Sequence, residues 1–495
     1  MRNSIFLLFI VFAISMTSCR EDFEFQTSSG NLEFSKDTVY LDTVFTNIGS
    51  STYRLKVYNR SNKDIKIPSI KLGRSDSKYR MMIDGMQGTD GKSFNNIELL
   101  AKDSLFIFIE TTIDYNDFAG PDAQFLYTDQ IQFDSGSNLQ TVELVTLVKD
   151  AVFLYPARDS EGNYETLPIG DEPVPGFFLE GDELHWTSAK PYVIYGYAAV
   201  PPNATLEVDP GARVHFHADA ALIASNASAI KINGTIENNV IFEGDRLENA
   251  FSDIPGQWSA IWLTQGSTGH DFKNLTIKNA TVGILVSGNT GLNNVAADLN
   301  LENVQIYNSA NAGILAQTGY ISGNNVVINY AGSSALYCNY GGKYKFTHST
   351  FNNNWSGTNK FALRIDNFIE GANPLTQALV DTKFENCIIY STNQSGLALV
   401  RENDGLTFAP IFTKCVIKLS DNSTINNNPL YAFMADEANI KRNKNPNFID
   451  ANQNNLMIGE ESSAINFGNN LGGSDINGNA RSQNPDVGAY NYIPE

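Results

Sequence analysis

Arg364, Asp366 and Arg401 are the residues of this 495-residue sequence whose types and spacing could do chemistry together. Aligning the apolar segments on Ile284, Ile314, Ala335, Ala362 and Leu397 sets Tyr337 beside Arg364. The same alignment places Asn339, Asp366 and Arg401 in one column on neighbouring rungs, with Lys360 and His348 near them. A basic side chain beside a carboxylate is the material of proton transfer, one group moving the proton and the other holding charge. The competing reading is a surface Asp–Arg ladder pair of small energetic value. No acidic cluster suited to calcium accompanies the patch.

Other constellations are weaker. His215, His217 and Asp219 alternate along one strand, so they face one side, where two imidazoles and a carboxylate suit a metal. No third partner is visible among the five histidines, and no metal site is assigned. Asp475, Asn477, Asn479 and Asp486 match several oxygen positions of a calcium loop. Ala480 stands where such a loop needs glycine, and Asp486 replaces the closing glutamate. The segment reads instead as a structural turn with Asn477-Gly478 at its tip. Tyr307, Tyr320, Tyr330, Tyr340, Tyr344 and Tyr390 cluster in the central segments. With Tyr337, the residues Tyr340 and Tyr344 are the candidates for stacking on sugar rings, whose C–H faces pack on aromatics. The alternative is that these rings cover turns.

The elements that must position these residues are strands. From Leu32 to about Lys149, short runs alternate polar and apolar residues, as in Tyr53-Arg54-Leu55-Lys56-Val57-Tyr58 and Leu105-Phe106-Ile107-Phe108-Ile109. Period two with β-branched and aromatic residues predicts strands with one buried face. About seven strands over residues 31–150 predict a β-sandwich. Pro156, Pro168, Pro173 and Pro175 mark 151–180 as a linker. Beyond it lies a repeat. Leu275-Thr276-Ile277, Val304-Gln305-Ile306, Val326-Val327-Ile328, Ser349-Thr350-Phe351, Cys387-Ile388-Ile389 and Cys415-Val416-Ile417 each open a unit. Their third residues lie 29, 22, 23, 38 and 28 apart. Units this short bury an apolar face only by stacking, strand on like strand, which is a parallel β-helix. The 38-residue step marks a loop insertion in 352–386. Asn279, Asn308 and Asn353 fall at matched places and suit side-chain ladders. Cys387 and Cys415 also match and read as stacked buried thiols.

Leu206-Glu207-Val208, Pro210-Gly211, Val214-His215-Phe216, Gly234-Thr235 and Gly256-Gln257-Trp258 resemble the first coils of right-handed parallel β-helix proteins of the pectin-lyase-like superfamily. Pro446-Asn447-Phe448-Ile449-Asp450, Ser463 to Gly468 and Pro485 to Tyr490 are similar to the choice-of-anchor Q type of terminus. The resemblance covers 181–495. It implies the fold, and it admits lyases, hydrolases and adhesins. Lyases of this fold use a Lys or Arg base with Ca²⁺ or further cations neutralising a uronate, so Ca²⁺ is implied only under that reading. Its hydrolases need paired carboxylates. Within the sandwich, Val57 to Ile67 resembles Ig-like domains of the major-sperm-protein type.

The N-terminus speaks to location. Arg2 precedes an apolar run from Ile5 to Ile14, too short to span a bilayer and suited to a signal segment. Ser15-Met16-Thr17-Ser18-Cys19 resembles a bacterial lipobox, which implies lipidation of Cys19 after removal of 1–18. Arg20-Glu21-Asp22 resembles the surface-export signal of Bacteroidetes lipoproteins, and 19–30 reads as a tether. Acidic residues outnumber basic ones 54 to 34, for a net charge of −20, which argues against a nucleic-acid partner.

The combined expectation is an all-β chain, an Ig-like β-sandwich followed by a right-handed parallel β-helix solenoid. It is expected at the outer membrane, lipid-anchored and facing outward, binding or scaffolding an extracellular polysaccharide without a cofactor. The alternatives are a polysaccharide lyase or glycoside hydrolase acting at Arg364, Asp366 and Arg401, and an adhesin for protein partners.

Overall fold

The computed structural model describes residues 24–118, 124–169, 173–289, 296–371, 373–402 and 405–494. The expected signal segment and Cys19 lie outside the described residues. The chain forms two compact units, one ending at Asp150 and one beginning at Ala151.

The first unit is a sandwich of two sheets. One is six-stranded, running Gln26–Thr27, Ile65–Leu72, Gln124–Phe133, Gln140–Lys149 and Thr38–Phe45, with Ser93–Leu99 paired to Ile65–Leu72. The other is four-stranded, with Glu33–Phe34, Tyr53–Tyr58, Ser104–Thr111 and Tyr79–Ile83 in order. Alternation does the work: Leu105, Ile107 and Ile109 are buried while Phe108 between them is exposed. The inward residues of both sheets make one core, including Val39, Leu55, Ile70, Ile131 and Leu144. There are more strands than the expected seven, because the two-residue pieces are too short to show a period.

The second unit is a parallel β-helix with three columns of strands. The first column holds Leu206, Ile230 and Ile232 and, further along, the strands Lys343–Thr347, Lys383–Glu385 and Ile411–Thr413. The second holds Arg213–Phe216, Val240–Gly244, Val327–Ala331, Thr350–Asn353, Ile388–Ser391 and Cys415–Ile417. The third runs through Ala221–Ala224, Trp258–Leu263, Ala280–Ser287, Ala312–Gln317, Ser334–Asn339, Phe361–Asp366 and Leu397–Val400. Every strand in these columns pairs in parallel with its counterpart in the next coil, so each coil completes the core of its neighbour. Phe346, Phe384, Phe412 and Phe433 stack down the interior with centroids 5.6, 5.3 and 4.6 Å apart. The buried thiols of Cys387 and Cys415 occupy adjacent rungs there.

In six successive coils the sharp corner between the first two columns is made by one left-handed residue. Asn274, Asn303, Asn325, His348, Asn386 and Lys414 hold it, with φ of 45°, 55°, 52°, 45°, 54° and 53°. Asparagine tolerates this conformation best among residues with a side chain. It also bonds along the stack. Asn303 Nδ2 donates to Asn274 Oδ1 at 3.1 Å, and Asn325 Nδ2 donates to Asn303 Oδ1 at 2.9 Å. The expected ladder of Asn279, Asn308 and Asn353 is only half present. Asn308 donates to Asn279 at 3.3 Å, but Tyr330 occupies the rung between Asn308 and Asn353. Asn353 bonds Ala331 O and Phe361 O instead. Glycine near the start of a third-column strand also has a cause: a Cβ on Gly313 would sit 2.3 Å from Ile328 Cγ2.

Two boundaries differ from expectation. The expected linker 151–180 is the first coil: Val152–Leu154 opens the second column and Val174–Phe178 the third. Pro156, Pro168 and Pro173 sit in loops, and Pro175 lies in Val174–Phe178 opposite Thr166. The single insertion expected in 352–386 is two, 354–360 and 367–382, flanking Phe361–Asp366. After the last coil, residues 443–494 run back along the outward side of the second column. Tyr490 packs on Tyr307 and Val327, and Val487 and Ala464 join Ile388 and Val416.

Candidate functional site

The third column presents its outward residues in two parallel rows. Strand register places Trp262, Leu285, Leu315, Tyr337, Arg364 and Ala398 level on successive rungs. Two residues along each strand, Ser287, Gln317, Asn339, Asp366 and Val400 form the second row. Alternation dictates this, since Ile284, Ile314, Leu336, Leu363 and Leu397 point inward from the same strands. Trp262, Leu285, Leu315 and Tyr337 are half-buried, and rungs repeat at about 4.8 Å. The result is an apolar row bordered by hydroxyls and amides. Trp262 Nε1 donates to Ser287 Oγ at 3.2 Å across the two rows.

Arg364 and Asp366 do come together. Arg364 Nη2 lies 2.7 Å and Nε 2.9 Å from Asp366 Oδ2, and Nε is 3.2 Å from Oδ1. Tyr337 donates its hydroxyl to Asp366 Oδ2 at 2.7 Å and accepts from Asn339 Nδ2 at 2.9 Å. Asp366 is 1% exposed. Burial by itself would lower the Arg364 guanidinium, but the bond to Asp366 and its charge outweigh that and hold it above its ordinary value. Burial, reinforced by the bond to Asp366, pushes the Tyr337 hydroxyl up to about 12. Neither group is poised to take a proton near neutrality. Asp366 accepts from both partners, chiefly through Oδ2, and so holds Arg364 and Tyr337 in place. The arrangement fixes two surface side chains.

Arg401 is not in this network. Val400, not Arg401, lies level with Asp366, and Arg401 falls in the loop beyond the strand. Ala362 N and Leu363 N both donate to Gly396 O, which sets Leu363 rather than Ala362 opposite Leu397 and shifts the register by one. His348 is also elsewhere, buried at the corner of the first two columns. Lys360 precedes the Phe361 strand and donates to Gly332 O.

The tyrosines divide. Tyr344 is fully buried, with its hydroxyl donated to Gly341 O at 2.8 Å, and presents no face to a ligand. Tyr307 is covered by the C-terminal segment. Tyr340 is half-buried at a left-handed turn position. Tyr337 stands in the outward row, one side of its ring facing the Arg364 guanidinium at 4.8 Å. Trp262, Leu285, Leu315 and Gln317 were missed by reading residue types. The signal was present, as the residue after the inward Ile261, Ile284 and Ile314 of each repeat.

The other constellations resolve locally. His215 is buried, its Nδ1 3.3 Å from Gly244 O, whereas His217 Nδ1 meets Asp245 Oδ2 at 2.7 Å and its ring stacks on Tyr195 at 4.4 Å. Asp475 accepts from the backbone N–H groups of Asn477, Asn479 and Asn491, at 3.0, 2.8 and 3.0 Å, so its oxygens tie a turn.

No protein-family model and no curated protein sequence matches the chain. Among solved structures, it is similar to the catalytic unit of a thermostable GH87 alpha-1,3-glucanase from Streptomyces thermodiastaticus strain HF3-3. That likeness has 12% identity and a TM-score of 0.26, over 73% of this chain and 70% of that one. It is similar to a PapD-like domain of human CEP192, at 10% identity and a TM-score of 0.16, over 25% of this chain and 86% of that one. A family 123 glycoside hydrolase from Clostridium perfringens matches at 9% identity and a TM-score of 0.17, over 24% of this chain and 26% of that one. Likenesses this low transfer no activity to the chain.

Proposed function

We propose that this protein is a lipid-anchored protein of the outer cell surface whose β-helix holds an extracellular polysaccharide, without cleaving it, along the outward face of the third column. The observation that carries this reading is the apolar row Trp262, Leu285, Leu315 and Tyr337 beside the polar row Ser287, Gln317 and Asn339. Sugars offer C–H faces and hydroxyls side by side, and the two rows answer both. The saturated Arg364–Asp366–Tyr337 network supports binding over catalysis. The anchor rests on the Cys19 motif, and outward display on Arg20-Glu21-Asp22.

The test uses protein beginning after Cys19, incubated with acidic and neutral polysaccharides with and without calcium. Bound fraction, new reducing ends and the ultraviolet absorbance of unsaturated products are followed together. Retention without cleavage, weakened in Trp262→Ala and Leu315→Ser, is expected. Product formation abolished in Arg364→Ala would overturn the reading in favour of an enzyme. The anchor is tested separately by metabolic labelling with a fatty-acid analogue, which Cys19→Ala should abolish.

A further inference from the structure

The third column stops at Leu397–Val400. In the next turn of the chain, the helix Asn422–Asn427 and the 3-10 segment Pro429–Ala435 take the place of a strand. They close the interior with Tyr431 and Met434, which are buried. They do not fill the outward half of that rung. A cleft of 670 Å³ is left, walled by the loops 357–361 and 393–395 and floored by Leu397, Leu419 and Tyr431. Its size suits a small-molecule site, for which about 300–1,000 Å³ is usual.

The cleft continues the outward row. Ala398 follows Arg364 in register and lines the cleft. The lining chemistry is specific. Thr358, Asn359, Gln394 and Ser395 bring two amides and two hydroxyls, donors and acceptors of no net charge. The single charged side chain in the wall, Lys360, has its ammonium turned to the Gly332 carbonyl. The hydroxyl oxygen of Tyr431 accepts from Leu399 N at 2.8 Å, and apart from that group the floor is ring and aliphatic surface. Neutral hydrogen-bonding walls over an apolar floor match an uncharged sugar, whose hydroxyls radiate from a C–H face. Among the described lining residues a uronate carboxylate would meet one cation, Lys360, which is already drawn to the Gly332 carbonyl, whereas an uncharged sugar needs no such partner.

We infer that this cleft is a binding site for an uncharged oligosaccharide segment at the end of the outward face of the third column. The inference rests on the polysaccharide reading above and names the class of sugar. The test is calorimetric titration of the full chain with short linear glucan and mannan oligosaccharides, and with oligogalacturonate as the charged comparison. A Gln394→Ala/Ser395→Ala variant removes two surface side chains and is expected to fold as the parent does. Neutral oligosaccharide binding weakened about tenfold in that variant, and unchanged in Trp262→Ala, is the expected result. Equal binding by parent and double variant overturns the site, as does binding of oligogalacturonate alone or of none of the probes. Failure of the face itself reads out differently, as polymer retention that Trp262→Ala leaves intact.

Discussion

The hydroxyl of Tyr337 donates to Oδ2 of Asp366 at 2.7 Å, one rung away and from the neighbouring strand of the third column. The same oxygen takes the Arg364 guanidinium, so one buried carboxylate orients both of the polar-tipped side chains that end the outward row.

Removing that hydroxyl should cost stability without disturbing the apolar row. Tyr337→Phe keeps the ring and loses the bond to the charged acceptor Asp366 together with the one accepted from Asn339, for a loss of about 1.5 kcal/mol at a half-exposed site. Asp366→Asn should cost more, about 2–3 kcal/mol, because it leaves the Arg364 charge without its partner. The Arg364 side chain is 27% exposed, and water limits the loss. Chemical denaturation of both variants checks the order, and Asp366→Asn matching the parent would show that the pair is only a surface contact.

His348 should make the β-helix sensitive to acid. Its Nε2 accepts from Asn386 Nδ2 at 3.1 Å, and Asn386 also holds Asn469 of the C-terminal segment. Burial, aided by the nearby Arg481 charge, lowers the imidazole from 6.5 to about 3. The neutral ring is therefore favoured in the folded state. Its stabilising contribution is fully present above 6.5 and is lost as pH falls from there toward about 3. His348→Asn retains a residue suited to the left-handed φ of 45° and extends the asparagine ladder. Thermal unfolding across that range should show a shallower acid decline in the variant; identical declines would exclude His348 as the cause.

Asn325 serves two parts of the chain at once. It bonds Asn303 in its own ladder, and it meets Ser474 O at 3.0 Å and Arg481 Nη2 at 2.8 Å in the C-terminal segment. Asn325→Ala loses these bonds and strains the left-handed corner, for a loss of about 3 kcal/mol. Asn325→Gly loses the bonds but not the conformation, so it should fall between Ala and the parent. Limited proteolysis within 443–494 should accelerate in the same order.

Phe384 lies in the middle of the interior aromatic stack, between Phe346 and Phe412. Phe384→Ala should destabilise by about 3–5 kcal/mol through lost burial and the cavity left behind. Phe384→Leu should cost clearly less. Equal costs would mean that the coils close around the gap, and near-ultraviolet circular dichroism would show it.

Much of the architecture was legible without coordinates. Period-two alternation marked the sandwich strands, and the recurring triplets marked the coils, because each coil must present its apolar residues to the same interior. The pairing of Tyr337 with Arg364 followed from that periodicity alone. Arg401 did not follow, since a single residue of slip in the strand Leu397–Val400 exchanges a level position for a loop. Residues 151–180 were opaque for a related reason: their strands are short and carry prolines, so composition hid the pairing.

The amino-acid sequence by itself determined the fold class and the inward and outward alternation of the repeated strands, because these depend on local stereochemistry and on a repeat that only stacking can bury. Tertiary structure alone decided which outward residues remain accessible. Tyr307 is lost beneath Tyr490, which lies 183 residues further along the chain as numbered, and Tyr344 turns into the core to bond Gly341. Only the folded chain leaves the cleft beside Ala398, where a helix replaces a strand. Burial of a surface by a distant segment has no local period, so no window along the chain contains it.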